Sequence, residues 1–293
     1  MLGWRIGISV VLVPLLVGLF VLDHHAGEKA PYLCVLVLIL VARASFEFSE
    51  LLKTRNMEPS FPVIAICSMN VAGAAWFGQM DPRMPGSLGT AMMAFSLSIL
   101  VVFVAGAARY EKPGKTMETA GAEILGIAYI GVLLAVTAQL RWVQGADAGY
   151  LVLASLVIAA KCGDIGGYTL GRLFGKKKLC PTLSPGKTWM GAWGALIGSS
   201  LACAAWLHWG PSLFFENATP CPFGWSLLYG AIIGVVGLVG DLAESLIKRD
   251  VQKKDSAELM PGFGGLLDLL DSVIFAGPVA LVLWKFLPLA TWQ

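Results

Sequence analysis

The run WSLLYGAIIGVVGLVGDLAESLI, residues 225–247, leads without a break into KRDVQKKDSAELMPGFGG, residues 248–265, and then LLDLLDSVIFAGPVALVLWKFL, residues 266–287. Each apolar flank is long enough to cross about 30 Å of hydrocarbon as a helix, which takes roughly 17 to 25 residues. The segment between them carries Lys248, Arg249, Lys253 and Lys254, several carboxylates and a glycine-rich turn. Ionisable groups at bilayer depth are costly and are usually there for function. Charge of this density beside spanning helices calls for a partner that is itself charged, and phosphate with a divalent metal is the natural one.

The rest of the chain has the same character. Hydrophobic residues make up 57% of it and charged residues only 14%, where a soluble domain carries about 25% charged. Nine apolar runs of spanning length can be marked, at 6–22, 31–46, 61–79, 88–108, 120–140, 149–170, 189–209, 225–247 and 266–287. Open sheets leave backbone groups unpaired in lipid, and a barrel would read as short alternating segments. The expected fold is an all-α polytopic integral membrane bundle of about nine helices. Residues 1–110 form its N-terminal transmembrane part and residues 111–293 a C-terminal catalytic region with loops at 161–188 and 245–271. The first run follows Arg5 as a secretory signal would, but its length and the lack of a small-x-small site after Leu22 favour a retained helix.

Alternating the nine runs across a membrane places seventeen of the 21 Lys and Arg on one side, including Arg43, Arg55, Arg109, Lys161, the lysines 176–178, Lys187 and Lys248. Cytoplasmic loops are the ones enriched in these residues. The N-terminus and both polar loops are therefore expected at the cytoplasmic face of the cell's inner membrane, with the C-terminus outside. A net charge of +2 gives no reason to expect nucleic acid. The Asn217-Ala218-Thr219 sequon falls on the outer side and is expected to be idle. All three histidines, His24, His25 and His208, also fall on the outer side, which excludes histidine as a general base at a cytoplasmic site.

In the first loop, Lys161 and Asp164 stand three residues apart on one helical face. They either pair to complete a polar helix end or border a phosphate or metal site. The lysines 176–178 are read first as a membrane-face anchor, whereas Ser184-Pro185-Gly186-Lys187-Thr188 places two hydroxyls and a cation on a turn just before a helix. Backbone N–H groups at a helix N-terminus attract phosphate. The spacing is not that of a Walker loop. In the second loop Asp241, Glu244, Ser245 and Lys248 fall at i, i+3, i+4 and i+7, one stripe along a helix. Asp268 and Asp271 stand at i, i+3 where the last helix begins, just after the turn Pro261-Gly262-Phe263-Gly264-Gly265. Capping accounts for either carboxylate singly. Asp241, Asp268 and Asp271 converging on a hard cation accounts for them together, and magnesium suits oxygen ligands with substrate phosphate in the remaining positions.

Ser245-x-x-Lys248-Arg249, Lys254-Asp255 and Pro261-Gly-x-Gly264-Gly265-x-x-Asp268-x-x-Asp271 together resemble the signature of the phosphatidate cytidylyltransferases, or CDP-diacylglycerol synthases. Asp164-x-Gly-Gly-Tyr168, Gly171-Arg172, Phe174-Gly175-Lys176 and Ser184-Pro185-x-Lys187-Thr188 are similar to that family's earlier loop. The matches cover roughly the last 130 residues, and the N-terminal half agrees only in helix number and topology. Phe263 replaces the family's usual histidine, Leu269 its arginine and Met190 a glutamate. The resemblance implies attack by the phosphatidate phosphate on the α-phosphorus of CTP, leaving CDP-diacylglycerol in the membrane and releasing pyrophosphate. It implies magnesium, with room for a second cation, held by Asp241, Asp268 and Asp271, with Lys248 and Arg249 as further catalytic groups. Asp164, Arg172, Ser184, Lys187, Thr188, Ser245, Gly264 and Gly265 would contact substrate; Glu244, Lys253, Lys254 and Asp255 rank lower, as charges of a solvated helix end. The partners implied are CTP, phosphatidate and membrane lipid, and a homodimer is left open. Another CTP-dependent lipid enzyme, such as a dolichol-type kinase or an isoprenoid-ether lipid cytidylyltransferase, would share the metal and nucleotide groups. An ion-coupled transporter would place its carboxylates near the midplane in two related halves; here they gather at one face and no repeat is seen.

Overall fold

The computed structural model describes residues 2–53, 57–216, 219–257 and 264–289, with side chains from residue 7 onward. Arg55, Asn217, Ala218 and the turn residues Pro261, Gly262 and Phe263 lie outside the described residues, as does the side chain of Arg5. Among the described residues nine helices are long and apolar enough to cross a membrane. They are α1 (Leu2–His25), α2 (Pro31–Lys53), α3 (Phe61–Met80), α4 (Gly86–Ala108), α5 (Thr116–Trp142), α6 (Gly145–Phe174), α7 (Trp189–Trp209), α8 (Phe223–Asp250) and α9 (Leu266–Phe286). The chain is thus a polytopic helical membrane protein. One element departs from an all-helical reading: the loop after α6 folds into an antiparallel hairpin of β1 (Lys178–Cys180) and β2 (Ser184–Thr188). Its ladder needs no lipid exposure, because it lies between two spanning segments rather than within one.

The chain forms two compact units. One comprises Met1–Val136 with Lys248–Leu269, the other Thr137–Ile247 with Leu270–Gln293. In the first unit α3 packs on α2 and α4, around Val41, Phe48, Ile64, Ile127 and Ile130, all fully buried. Gly126 lets α5 lie against α2 and α3, since a Cβ there would come within 2.9 Å of the Phe48 ring and 3.2 Å of Ile64. Just beyond, α5 widens into a π-helical stretch over Ile127–Val132. Buried carboxylates in this unit are paired: Glu123 meets Arg109 at 3.0 Å and accepts the Ser60 N–H. Asp23 accepts the N–H groups of Tyr32 and Leu33 at the start of α2.

In the second unit small residues decide the packing. A Cβ on Gly166 of α6 would lie 2.3 Å from the Gly194 carbonyl of α7, and one on Gly194 would lie 2.3 Å from the Gly166 carbonyl. Only glycine on both sides permits backbones this close, the usual means by which helices associate where lipid removes the hydrophobic drive. Gly234 brings α8 against Ser199 of α7 in the same way, and Gly240 brings α8 against Asp271 and Phe275 of α9. Deeper in the unit Ser155 accepts the Trp284 indole N–H at 3.2 Å and lies 3.0 Å from the Tyr229 hydroxyl, so the large aromatic side chains are buried with their polar atoms satisfied.

Candidate active site

The second unit assembles a carboxylate group from two helices. Asp241 and Glu244 stand one turn apart on α8, and Asp271 stands on α9; one carboxylate oxygen of each lies within 4.8 Å of the others. Glu244 is 2% exposed and Asp271 4%. The Gly240 contact is what makes this local geometry, because the residue before Asp241 touches the backbone of Asp271 itself. Three carboxylates so close repel one another strongly in a medium poorer than water, and buried charge must be compensated. A hard cation with oxygen ligands is suited to this donor set. Part of the compensation present comes from Lys187, whose ammonium lies 2.7 Å from Asp241 Oδ2.

A second polar group adjoins through Ser272. Its hydroxyl donates to Asp164 Oδ2 at 3.2 Å and accepts from Lys161 Nζ at 3.1 Å, while its N–H donates to Asp271 Oδ1 at 2.5 Å. Lys161 and Asp164 pair directly at 3.0 Å. The ion pair is one of the two readings that their spacing left open, and Ser272 ties it to Asp271. A cavity of about 520 Å³ lies between α6, α7 and α8, lined by Asp164, Tyr168, Arg172, Lys187, Thr188 and Asp241 among glycines 163, 167, 171, 191, 234 and 237.

The other expected substrate residues divide by partner. Arg172 donates to the Tyr168 hydroxyl at 2.7 Å. Thr188 is 5% exposed and caps α7, its hydroxyl accepting the Gly191 N–H at 3.1 Å. Ser184 lies on β2 opposite Cys180, and Ser245 is part-exposed on α8. The stretch 184–188 is a strand leading into a helix rather than a turn, and this extended form carries Lys187 to Asp241.

The first unit treats the expected Asp268 differently. Asp268 pairs with Lys248, the side chains being 9% and 10% exposed. Its Oδ2 accepts the Ser256 N–H at 2.9 Å, the Ser256 hydroxyl at 2.8 Å and the Gly265 N–H at 2.8 Å. Its two oxygens are thus occupied by a cation and three donors from its own loop, and Asp268 caps the first turn of its own helix. Gly264 has φ of +89°, and a Cβ there would lie 2.5 Å from Asp268 Oδ2. Backbone conformation and space thus both call for glycine at 264. Arg249 is exposed and donates to the Lys253 carbonyl at 3.1 Å.

Among the described residues this helical membrane protein thus brings together clustered carboxylates, a cation beside them and an adjoining cavity. The chain is a member of the cytidylyltransferase family, whose model matches residues 4–287. Among curated relatives, the phosphatidate cytidylyltransferase of Mycobacterium leprae is 40% identical over 135 residues, 46% of this chain and 39% of that protein. The phosphatidate cytidylyltransferase of Haemophilus influenzae is 38% identical over 130 residues, 44% of each chain. The uncharacterized protein YnbB of Escherichia coli is 42% identical over 131 residues, 45% of this chain and 41% of that one. The matched stretches thus span about two fifths of the length of these relatives.

From spacing alone Glu244 ranks below Asp241, yet its carboxylate joins those of Asp241 and Asp271; Ser272, Ser256 and Glu47 are not singled out. Glu244 carried a signal, since it shares the stripe of Asp241. The contacts that tie the other three to distant positions, Ser272 to Asp164, Ser256 to Asp268 and Glu47 to Leu266, follow from no local spacing.

Proposed function

We propose that the protein transfers CMP from CTP to phosphatidate. A phosphatidate phosphate oxygen forms a bond to the α-phosphorus of CTP, the bond from that phosphorus to the β-phosphate oxygen breaks, and CDP-diacylglycerol and pyrophosphate result. The observation that carries this reading is the Asp241, Glu244 and Asp271 group with Lys187 at its edge, in a chain belonging to the cytidylyltransferase family.

Asp241, Glu244 and Asp271 would hold magnesium, which when bound neutralises phosphate charge and orients the triphosphate. Asp268 moves out of the ligand set proposed here, because Lys248 and the loop donors occupy its oxygens. In the second unit Lys187 and Arg172 supply positive charge for the triphosphate or the lipid phosphate, in the way that fixed cations stabilise phosphoryl transfer, and in the first unit Lys248 and Arg249 offer charge of the same kind. Asp164 and Lys161 hold Ser272 and through it Asp271. The attacking group is already an anion, so no side chain is required as a strong base. The glycine-lined cavity accommodates substrate, and the Lys and Arg asymmetry supports a cytoplasmic placement of both loops, where CTP is supplied, in the inner membrane.

The test is conversion of labelled CTP by the purified protein with phosphatidate and magnesium, beside the variant Asp271→Asn. CDP-diacylglycerol is expected from the unmodified protein, and the variant should lose roughly a hundredfold or more, the scale seen when one charge-stabilising group is removed. No product from the unmodified protein refutes the activity. Full activity in Asp271→Asn refutes the metal assignment.

A further inference from the structure

The buried carboxylate of Glu47 lies on α2, far from any motif of the second half of the chain. It is 1% exposed. Its Oε1 accepts the Leu266 N–H at 3.0 Å and pairs with Arg43 Nε at 3.1 Å; its Oε2 accepts the Leu267 N–H at 3.0 Å and the Ser256 hydroxyl at 3.2 Å. The first N–H groups of a helix have no partner within it and attract negative charge. Glu47 therefore closes the N-terminus of α9 from outside its own helix, and does so in the turn that bears Asp268.

Two further contacts make this more than a cap. The Ser256 hydroxyl lies at hydrogen-bond distance from both Glu47 Oε2 and Asp268 Oδ2, so the two carboxylates share one side chain. Gly265 is the residue at which they meet: a Cβ there would come within 2.4 Å of Glu47 Oε2 and 2.1 Å of the Ser256 oxygen. The second glycine of the Gly-Gly pair is thus explained by room for Glu47. Lys248, in turn, is held by Asp268.

We propose that Glu47 is the positioning residue of the Lys248 and Asp268 pair, setting where the ammonium stands by fixing the turn from Gly264 to Asp268. The inference rests on the cytidylyltransferase reading for its kinetic consequence but not for its structural one. Glu47→Gln keeps the shape while replacing one acceptor by an NH₂ group, so whichever way the amide turns, either Leu266 or Leu267 faces a donor. Ser256→Ala removes the shared hydroxyl and leaves the helix N-terminus covered.

Hydrogen exchange of the intact protein in lipid is the first measurement. In Glu47→Gln the peptide covering residues 264–270 should exchange about tenfold faster or more, the equivalent of one lost hydrogen bond to a charged group, while peptides of α3 and α4 keep their rates. The second measurement is kinetic. Both single variants should raise KM for one substrate, CTP or phosphatidate, about tenfold with KM for the other little changed, and the double variant should lose less than the product of the two, because they disrupt one unit. Unchanged exchange at 264–270 overturns the proposal even in a protein without CTP activity, which separates it from the failure of the proposed reaction. Equal rises in both KM values, or losses that multiply in full, reduce Glu47 to ordinary core structure. Should Glu47→Gln fail to fold, the exchange and KM split of Ser256→Ala decide the matter, and unchanged values there also overturn it.

Discussion

Gly240→Ala offers a direct test of how the carboxylate group is built. A Cβ at this position would lie 2.6 Å from Phe275 Cβ and 2.8 Å from the Asp271 carbonyl, where ordinary contact begins near 3.4 Å. The shortfall is about 0.6 to 0.8 Å, and neither neighbour is the free end of a flexible side chain. Overpacking of this kind costs typically about 1 to 3 kcal/mol, and it is relieved only if α8 and α9 move apart beside Asp241. Magnesium demands near-ideal octahedral oxygens at about 2.0 to 2.1 Å, and workable sites hold their distances within about 0.2 Å. A displacement several times that tolerance should weaken binding by about tenfold or more, equivalent to roughly 1.4 kcal/mol. The assay is titration of the purified protein in lipid with Mn²⁺, followed by the loss of free-ion electron paramagnetic resonance signal. Gly121→Ala serves as the control, because a Cβ there meets nothing within 4 Å and alanine is the better helix former. Equal Mn²⁺ affinity in Gly240→Ala and the control would refute the argument that close approach of α8 and α9 makes the site.

Two other outcomes are expected. Lys187→Met removes the ammonium from Asp241, so Mn²⁺ should bind about tenfold more tightly without nucleotide while affinity for CTP falls by a similar factor; weaker Mn²⁺ binding would show instead that Lys187 organises the carboxylates. Cys221, between the spans of α7 and α8, has its thiol pushed up to about 11 by burial, against which the Ser226 N–H acts only partly. Because the thiolate is the reactive form, maleimide labelling followed by mass spectrometry should be slow at pH 8 and climb with pH until about 11. A rate that levels off near pH 9 would contradict the burial.

The helices were legible in the sequence because spanning a bilayer imposes a length and an apolarity that each segment satisfies alone. The run 189–209 coincides with α7 and most other runs end close to the observed helix bounds, but the run 31–46 stops well short of Lys53, where α2 ends. Asp241 with Glu244, and Asp268 with Asp271, were legible as stripes because helical spacing is local. Which stripes meet was not. Whether a carboxylate faces a cation or other carboxylates depends on where glycines let helices approach, and Gly166, Gly194 and Gly240 show their purpose only beside their neighbours. The hairpin at 178–188 escaped because its residues, Ser184-Pro185-Gly186 among them, have the composition of a turn.

Family membership, membrane class and the uneven spread of Lys and Arg follow from the order of residues, since hydropathy and charge are properties of each residue where it stands. The partition of the carboxylates was decided by tertiary structure alone. Asp268 and Asp271 look equivalent at i and i+3, yet one is engaged by Lys248, Ser256 and Gly265 and the other joins Asp241 and Glu244. Glu47 makes the same point from more than two hundred positions away. A carboxylate's role depends on the donors and charges within a few ångströms of it, and those neighbours are chosen by packing that no local pattern encodes.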